Sequence, residues 1–159
     1  MAGHDHTYRT SLTWSGSTGV GYERYERAHE VGAAPARDRL SLSADPSFGG
    51  DTSQLNPEQL LVASASSCQL LSFLAVSARA RLDVVSYTDD AVAVMVADDL
   101  PVRLTRIDLR PAITLADSDR GRPSEERLRR LCYLAHGECY VANSLRTDVV
   151  VEPTFTWVS

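Results

Sequence analysis

Residues 56–80 read NPEQLLVASASSCQLLSFLAVSARA and carry no charge between Glu58 and Arg79. Small and apolar side chains fall on every side of a helix built from this stretch, and such a helix has to be enclosed. The segment also carries its own start signals. Asn56 is a good N-cap, Pro57 suits the first helical position, and Glu58 places an anion where the helix dipole favours one. A helix over residues 56–80 is therefore expected, with the rest of the chain wrapped about it.

What surrounds it reads mainly as strands. Tyr8, Thr10, Leu12 and Trp14 alternate, and the turn cluster at residues 15–19 leads to a partner strand expected over residues 20–25. Residues 32–35 read as a loop, 39–42 as a short strand and 45–54 as a Gly/Ser/Asp loop. After the helix come two strands within residues 83–97, broken near Asp89-Asp90. Another runs from 102 to 109 and continues past Pro111 into 112–115. A polar loop at 116–123 leads to a second helix, with Ser124 as N-cap and Glu125 and Glu126 in its first turn. On that helix Leu128, Leu131, Cys132 and Ala135 make one apolar face, and Gly137 is its stop. A short helix over residues 139–145 follows. A closing strand in which Val149, Val151, Phe155 and Trp157 alternate ends the chain. The order predicts one α+β domain over residues 1–159.

The net charge of −5 argues against a nucleic-acid surface, which needs a basic patch. All sixteen basic residues are Arg, so no lysine can serve as a Schiff base or phosphate ligand. The N-terminal residues MAGHDHTYRT have no apolar signal-peptide core, and runs such as AVAVMVA are too short to span a bilayer. A cytoplasmic protein with no membrane association is the expectation. Three cysteines, Cys68, Cys132 and Cys139, are too few for a secreted disulfide framework.

Chemistry is therefore sought at Cys68 in the apolar helix, at AHGEC over residues 135–139, and at Glu58 with nearby arginines. Cys139 falls at the start of a short helix, where a thiolate is favoured and the thiol's pKa is lowered. Cys68, sealed among apolar side chains, would stay an inert thiol unless a cation stands close, and arginine is the cation this chain has. Glu58 and Cys68 are ten residues apart, about 15 Å along a helix axis. They can meet only across a dimer whose two copies of the helix run antiparallel. Blander readings stand beside these. Cys132 is accounted for by its helix face, Glu58 is a favourable first-turn acid, Arg27 a solvated strand residue, and His136 a helix cap or backbone partner. Cys132, His136 and Cys139 could also be read as metal ligands, though at loose spacing. No nucleotide-binding, zinc-protease or serine-hydrolase motif is present.

NPEQLLVASASSC together with AHGECYVANSL resembles the OsmC/Ohr family of thiol-dependent hydroperoxide reductases. The family pattern is an NPE-x-L helix with the reactive cysteine ten residues after the glutamate, then AH-x-x-C with the partner cysteine. YERYERAHEV, holding Tyr25, Arg27 and His29, looks like the Tyr-x-Arg-x-His segment of an OsmC-like subgroup. The resemblance implies an OsmC-like α+β fold, with antiparallel sheets packed around a long central helix in an intertwined homodimer. It implies that Cys68 is the peroxidatic cysteine, Cys139 the resolving one, and Glu58 the acid that holds the activating arginine. That arginine is Arg27 or, second, Arg24, because the Gly-Gly-Arg turn of the Ohr branch reads SGSTGVG here. Tyr140 replaces the proline that commonly follows the second cysteine. The implied activity is reduction of organic hydroperoxides through a Cys68 sulfenate and a Cys68–Cys139 disulfide. A dithiol, typically lipoyl, would regenerate the pair, with no metal or other cofactor. The alternative is a non-catalytic dimer of the same fold that binds an apolar small molecule.

Overall fold

The structure is a computed structural model that describes residues 5–119 and 121–158. The first residues of the N-terminal stretch and Arg120 of the 116–123 loop lie outside the described residues. The chain divides into two compact units, one up to Leu60 and one from Leu61 onward.

The first unit is built on an antiparallel sheet of β1 (Ser11–Thr13), β2 (His29–Gly32) and β3 (Arg39–Leu42), in the order β1-β2-β3. Leu12 pairs with Val31, and Val31 in turn with Leu40. The partner of β1 is thus β2, and the strand expected over residues 20–25 does not form. Local turns take its place. Thr18–Val20 form a single 3-10 turn, and Gly21 sits at φ +94°, a conformation a strand residue does not adopt. The Gly21 carbonyl then accepts the N–H of both Arg24 and Tyr25 at 3.1 and 3.2 Å. After β3, Leu42 bridges to Leu55, and the Ser43 N–H donates to the Leu55 carbonyl at 2.9 Å.

α1 (Pro57–Arg79) starts with a reciprocal cap. Asn56 Oδ1 accepts the Gln59 N–H at 2.8 Å, and Gln59 Oε1 accepts the Asn56 N–H at 3.0 Å. The second unit places two three-stranded sheets on the remainder of this helix. One holds β4 (Val84–Asp89), β7 (Pro111–Ala116) and β9 (Thr154–Val158) in the order β4-β7-β9. The other holds β5 (Val92–Met95), β6 (Leu104–Leu109) and β8 (Asp148–Val151) in the order β5-β6-β8. β4 with β7 and β5 with β6 are antiparallel, whereas β6 with β8 and β7 with β9 are parallel. The sheets are therefore mixed, not antiparallel throughout as expected. The cause is the closing segment. Pro153 lacks an N–H for a ladder, and the Glu152 N–H turns to the Leu109 carbonyl at 2.9 Å. The expected single last strand splits there into β8 and β9, which lie alongside two strands already paired.

α2 (Glu125–Gly137) has Ser124 as its N-cap, with Oγ accepting the Arg127 N–H at 3.3 Å, and α3 (Tyr140–Ser144) follows at once. Two cores result. Phe73 and Val76 of α1 pack with Ile113, Leu115, Leu128, Cys132 and Ala135. Nearer the start of α1, Ala65 packs with Ile107, Leu109, Val149 and Val151, flanked by Val141 and Ala142 of α3.

The chain does not enclose α1 on all sides. Leu71 is 64% exposed and Leu74 38%. The helix is also long and apolar enough to cross a membrane by length and composition alone, with a mean hydropathy of 1.7. Its serines and Gln69 break it into short apolar runs, so a search for uninterrupted runs passes over it. Gln69 and Ser77 are buried against the rest of the chain.

Candidate functional site

Cys68 sits on α1 between the two cores, after Ala65 and before Phe73. Cys139 sits at the matching seam between α2 and α3. Folding brings these two cysteines into each other's electrostatic reach: the Cys68 side chain is among the groups that raise the Cys139 pKa, and both are free thiols. Cys68 is half-buried, short of the sealed position expected for it, while Cys139 is 1% exposed. Cys139 is the N-cap of α3, and its sulfur accepts the Ala142 N–H at 3.4 Å.

The expectation that this helix start lowers the Cys139 pKa is overturned. Burial, and next the neighbouring Cys68 side chain, push it up to about 11 against the opposing amides of Ala142 and Val141. A helix of five residues offers little dipole, and desolvation of the charged form wins. Just before Cys139, Glu138 pairs with Arg79 at the end of α1 at 2.6 Å. Exposed as it is, that pair is worth at most about 1 kcal/mol.

Behind the dithiol lies a set of buried polar groups. Burial pushes the Cys132 thiol up to about 12. Gln69, the residue after Cys68, donates through Nε2 to the Cys132 carbonyl at 3.3 Å. Among the described residues, Gln69 Oε1, the Tyr87 hydroxyl and His136 Nδ1 are buried without a hydrogen-bond partner. His136 therefore does not use that nitrogen on backbone, as had been expected. Among the described residues no group of three or more His, Cys, Asp or Glu side chains could hold a metal, so Cys132, His136 and Cys139 do not form a ligand set.

Arg27 and Glu58 both line a cavity of about 530 Å³ in the first unit, together with Trp14, Tyr25, His29 and Phe48. The Arg27 guanidinium donates to the carbonyls of Tyr25 and Tyr22, both at 2.8 Å. It lies over the two rings, 4.1 Å from the Tyr25 centroid and 5.1 Å from that of Tyr22. His29 Nδ1 donates to the Arg27 carbonyl at 2.9 Å, which leaves Nε2 as the ring's other polar atom. Arg24 donates instead to the Val20 carbonyl at 2.8 Å and is not among the lining residues, which favours Arg27 of the two. Among the described residues Arg27 and Glu58 make no ion pair with each other.

Sequence reasoning passed over Gln59, Gln69 and Tyr87. Gln59 was findable, since glutamine three residues after an N-cap asparagine marks a capping box. Gln69 is the longest polar side chain in the middle of an apolar helix. Tyr87 gives no signal within its own strand.

The OsmC-like protein family model matches residues 49–154, well over half of the chain. Among solved structures, an OsmC-like protein of unknown function from Vibrio cholerae superposes with a TM-score of 0.84 at 29% identity, covering 94% of this chain and 100% of that one. An organic hydroperoxide resistance protein from Elizabethkingia anophelis superposes at 0.69 and 19% identity, covering 98% of this chain and 99% of its own. One from Legionella pneumophila does so at 0.61 and 17%, covering 95% and 97%. No curated protein matches the chain. The family model covers the NPE start of α1, both cysteines of the dithiol and the strands from β4 to β8, and the chain belongs to the OsmC-like family.

Proposed function

We propose that the protein is a thiol peroxidase that reduces organic hydroperoxides to alcohols. The observation that carries this reading is a pair of free thiols that act on each other, one half-buried on α1 and one buried at the α2–α3 corner. The names of the Elizabethkingia and Legionella structures support it. Cys68 is assigned the peroxidatic role because its side chain is the more accessible. Its thiolate attacks the distal oxygen of ROOH, the O–O bond breaks, and ROH leaves with a proton while Cys68 becomes a sulfenic acid. Cys139 then displaces the sulfenic oxygen as water, and the Cys68–Cys139 disulfide forms. A dithiol reductant, of lipoyl type, restores both thiols by exchange and leaves as its own disulfide.

Arg27 is assigned as the cation that favours the thiolate, and Glu58 as the acid that orients it. The exposed apolar side chains of α1, Leu71 above all, support a homodimer that encloses this helix. A cytoplasmic location accords with a cycle that runs on reduced thiols.

Thiol titration before and after one equivalent of cumene hydroperoxide tests the reading. Loss of two thiols per chain, abolished by Cys68→Ser, is the expected result. Unchanged thiols would overturn it in favour of a non-catalytic dimer that binds an apolar ligand.

A further inference from the structure

The cavity that holds Arg27 is lined only by residues between Trp14 and Glu58, and its walls are of two kinds. Trp14, Tyr25, Phe48 and Pro57 offer apolar surface. Trp14 is fixed in place, since its indole N–H donates to the Glu26 carbonyl at 2.7 Å. The charged wall is lopsided. Glu26, Asp45 and Glu58 supply three carboxylates against the one guanidinium of Arg27.

Two of these carboxylates are pinned by backbone amides. Glu26 Oε1 accepts the N–H of both Arg27 and Ala28, at 2.8 and 2.9 Å. Asp45 Oδ1 accepts the Ser47 N–H at 2.8 Å. The turn that carries Asp45 also closes on Arg27. The Gly50 N–H donates to the Asp45 carbonyl at 3.1 Å, and a Cβ on Gly49 would come within 2.9 Å of Arg27 Cζ. The guanidinium itself is partly used. Each terminal nitrogen donates to a carbonyl, and its face lies over the Tyr25 ring. An arriving carboxylate would meet a fork already half occupied.

We propose that this cavity admits uncharged organic hydroperoxides and turns away those that carry a carboxylate, with Glu26 and Asp45 setting the choice. The inference rests on the peroxidase reading for the identity of the substrate; the selectivity comes from the cavity alone. A sphere of the cavity's 530 Å³ has a radius of about 5 Å, inside the roughly 8 Å over which physiological salt screens a charge. A ligand held there feels both pinned anions. A charged one must also shed water against the apolar wall, which a neutral one gains by covering. The discrimination is therefore a repulsion built into the wall, not an added attraction.

The test uses the full chain and two probes of one shape, cumene hydroperoxide and its para-carboxylate. At pH 8 and low salt, kcat/KM should be about tenfold lower for the carboxylate, and the gap should narrow as salt is added. Asp45→Asn and Glu26→Gln keep an oxygen for the backbone N–H groups and remove the charge, so each should narrow the gap, and the double variant should narrow it further. Equal rates for the two probes, or a preference for the carboxylate, would overturn the inference and leave the peroxidase reading standing. A chain that reduces neither probe would overturn the peroxidase reading. Selectivity is then read from binding of 2-phenylpropan-2-ol and its para-carboxylate, through a fluorescence change that Trp14→Phe abolishes. Tighter binding of the neutral alcohol sustains the proposal, and equal or reversed affinities refute it. Should the variants fold poorly, the wild-type ratio decides by itself, and a ratio that ignores salt refutes the proposal.

Discussion

The Cys139 sulfur accepts the Ala142 N–H at 3.4 Å, and the Cys68 side chain is the next largest influence on it after burial. Burial above all, with Cys68 beside it, raises the Cys139 thiol to about 11, so it holds its proton at neutral pH. In a two-cysteine cycle this suits the resolving partner, whose proton must stay in place until a sulfenic acid stands opposite.

The first prediction separates the two cysteines. Cys139→Ser should still react with one equivalent of cumene hydroperoxide and accumulate a trappable sulfenic acid, with no disulfide. Cys68→Ser should consume no peroxide. Cys132→Ala should retain the full two-thiol loss, because Cys132 packs in the core with Phe73, Leu128 and Ala135 and has no part in the assigned Cys68–Cys139 pair. Mass spectrometry of the quenched protein reads all three.

A second prediction concerns alkaline pH. Cys139 and Cys132 are raised from 9.0 to about 11 and about 12. Above pH 9 the unfolded chain sheds these protons while the folded one holds them. The stability they contribute is thus complete below pH 9 and is lost as pH rises toward 11–12. Each group adds a slope of about 1.4 kcal/mol per pH unit in that window. Denaturation midpoints of the reduced protein should be level from pH 7 to 8.5 and fall from pH 9 to 10.5. Cys132→Ala should start lower and fall less steeply.

The helix starts were legible because their signals are local. Asn56 with Pro57, and Ser124 with Glu125 and Glu126, state their roles within four residues. The dithiol was legible only as a resemblance, since no periodicity says that Cys68 and Cys139 meet. Non-local effects accounted for the errors. Residues 20–25 have strand-forming side chains, yet Tyr22 and Tyr25 are taken up by the Arg27 guanidinium. The alternation of Val149, Val151, Phe155 and Trp157 is real, but Pro153 assigns its halves to different sheets. A helix start predicted a low pKa at Cys139, and burial, which no short stretch of sequence displays, reversed it.

The capping box gives a third prediction. Asn56→Ala removes the acceptor for the Gln59 N–H and should cost about 1 kcal/mol. For a chain of this size that lowers Tm by roughly 2–4 °C. Gln59→Ala should cost less, and the double variant less than the sum, because the two bonds share one turn. Urea denaturation of the four proteins completes the cycle.

A fourth prediction addresses the exposed flank of α1. Leu71 is 64% exposed on a helix with no charge between Glu58 and Arg79. If a second copy covers that flank, Leu71→Asp should convert a dimer to a monomer by light scattering. Its helix content should stay unaltered, since the side chain leaves the chain's own core intact. A wild-type chain that is monomeric at every concentration would remove the dimer from the proposal.

The last prediction links a glycine to the arginine. Gly49 adopts φ +79°, and a Cβ there would come within 2.9 Å of Arg27 Cζ. Gly49→Ala therefore strains the backbone by about 1 kcal/mol and also presses on the guanidinium held over Tyr25. If Arg27 activates the thiolate, displacing it should lower kcat/KM for cumene hydroperoxide by much more than so small a loss of stability would. Arg27→Ala should lower it at least as far, and Arg27→Lys should restore little, because a lysine ammonium cannot reach both tyrosine carbonyls in a planar fork. If Gly49→Ala lowers Tm but leaves kcat/KM untouched, the Arg27 side chain has no part in the chemistry, and the cation beside Cys68 has to be sought elsewhere.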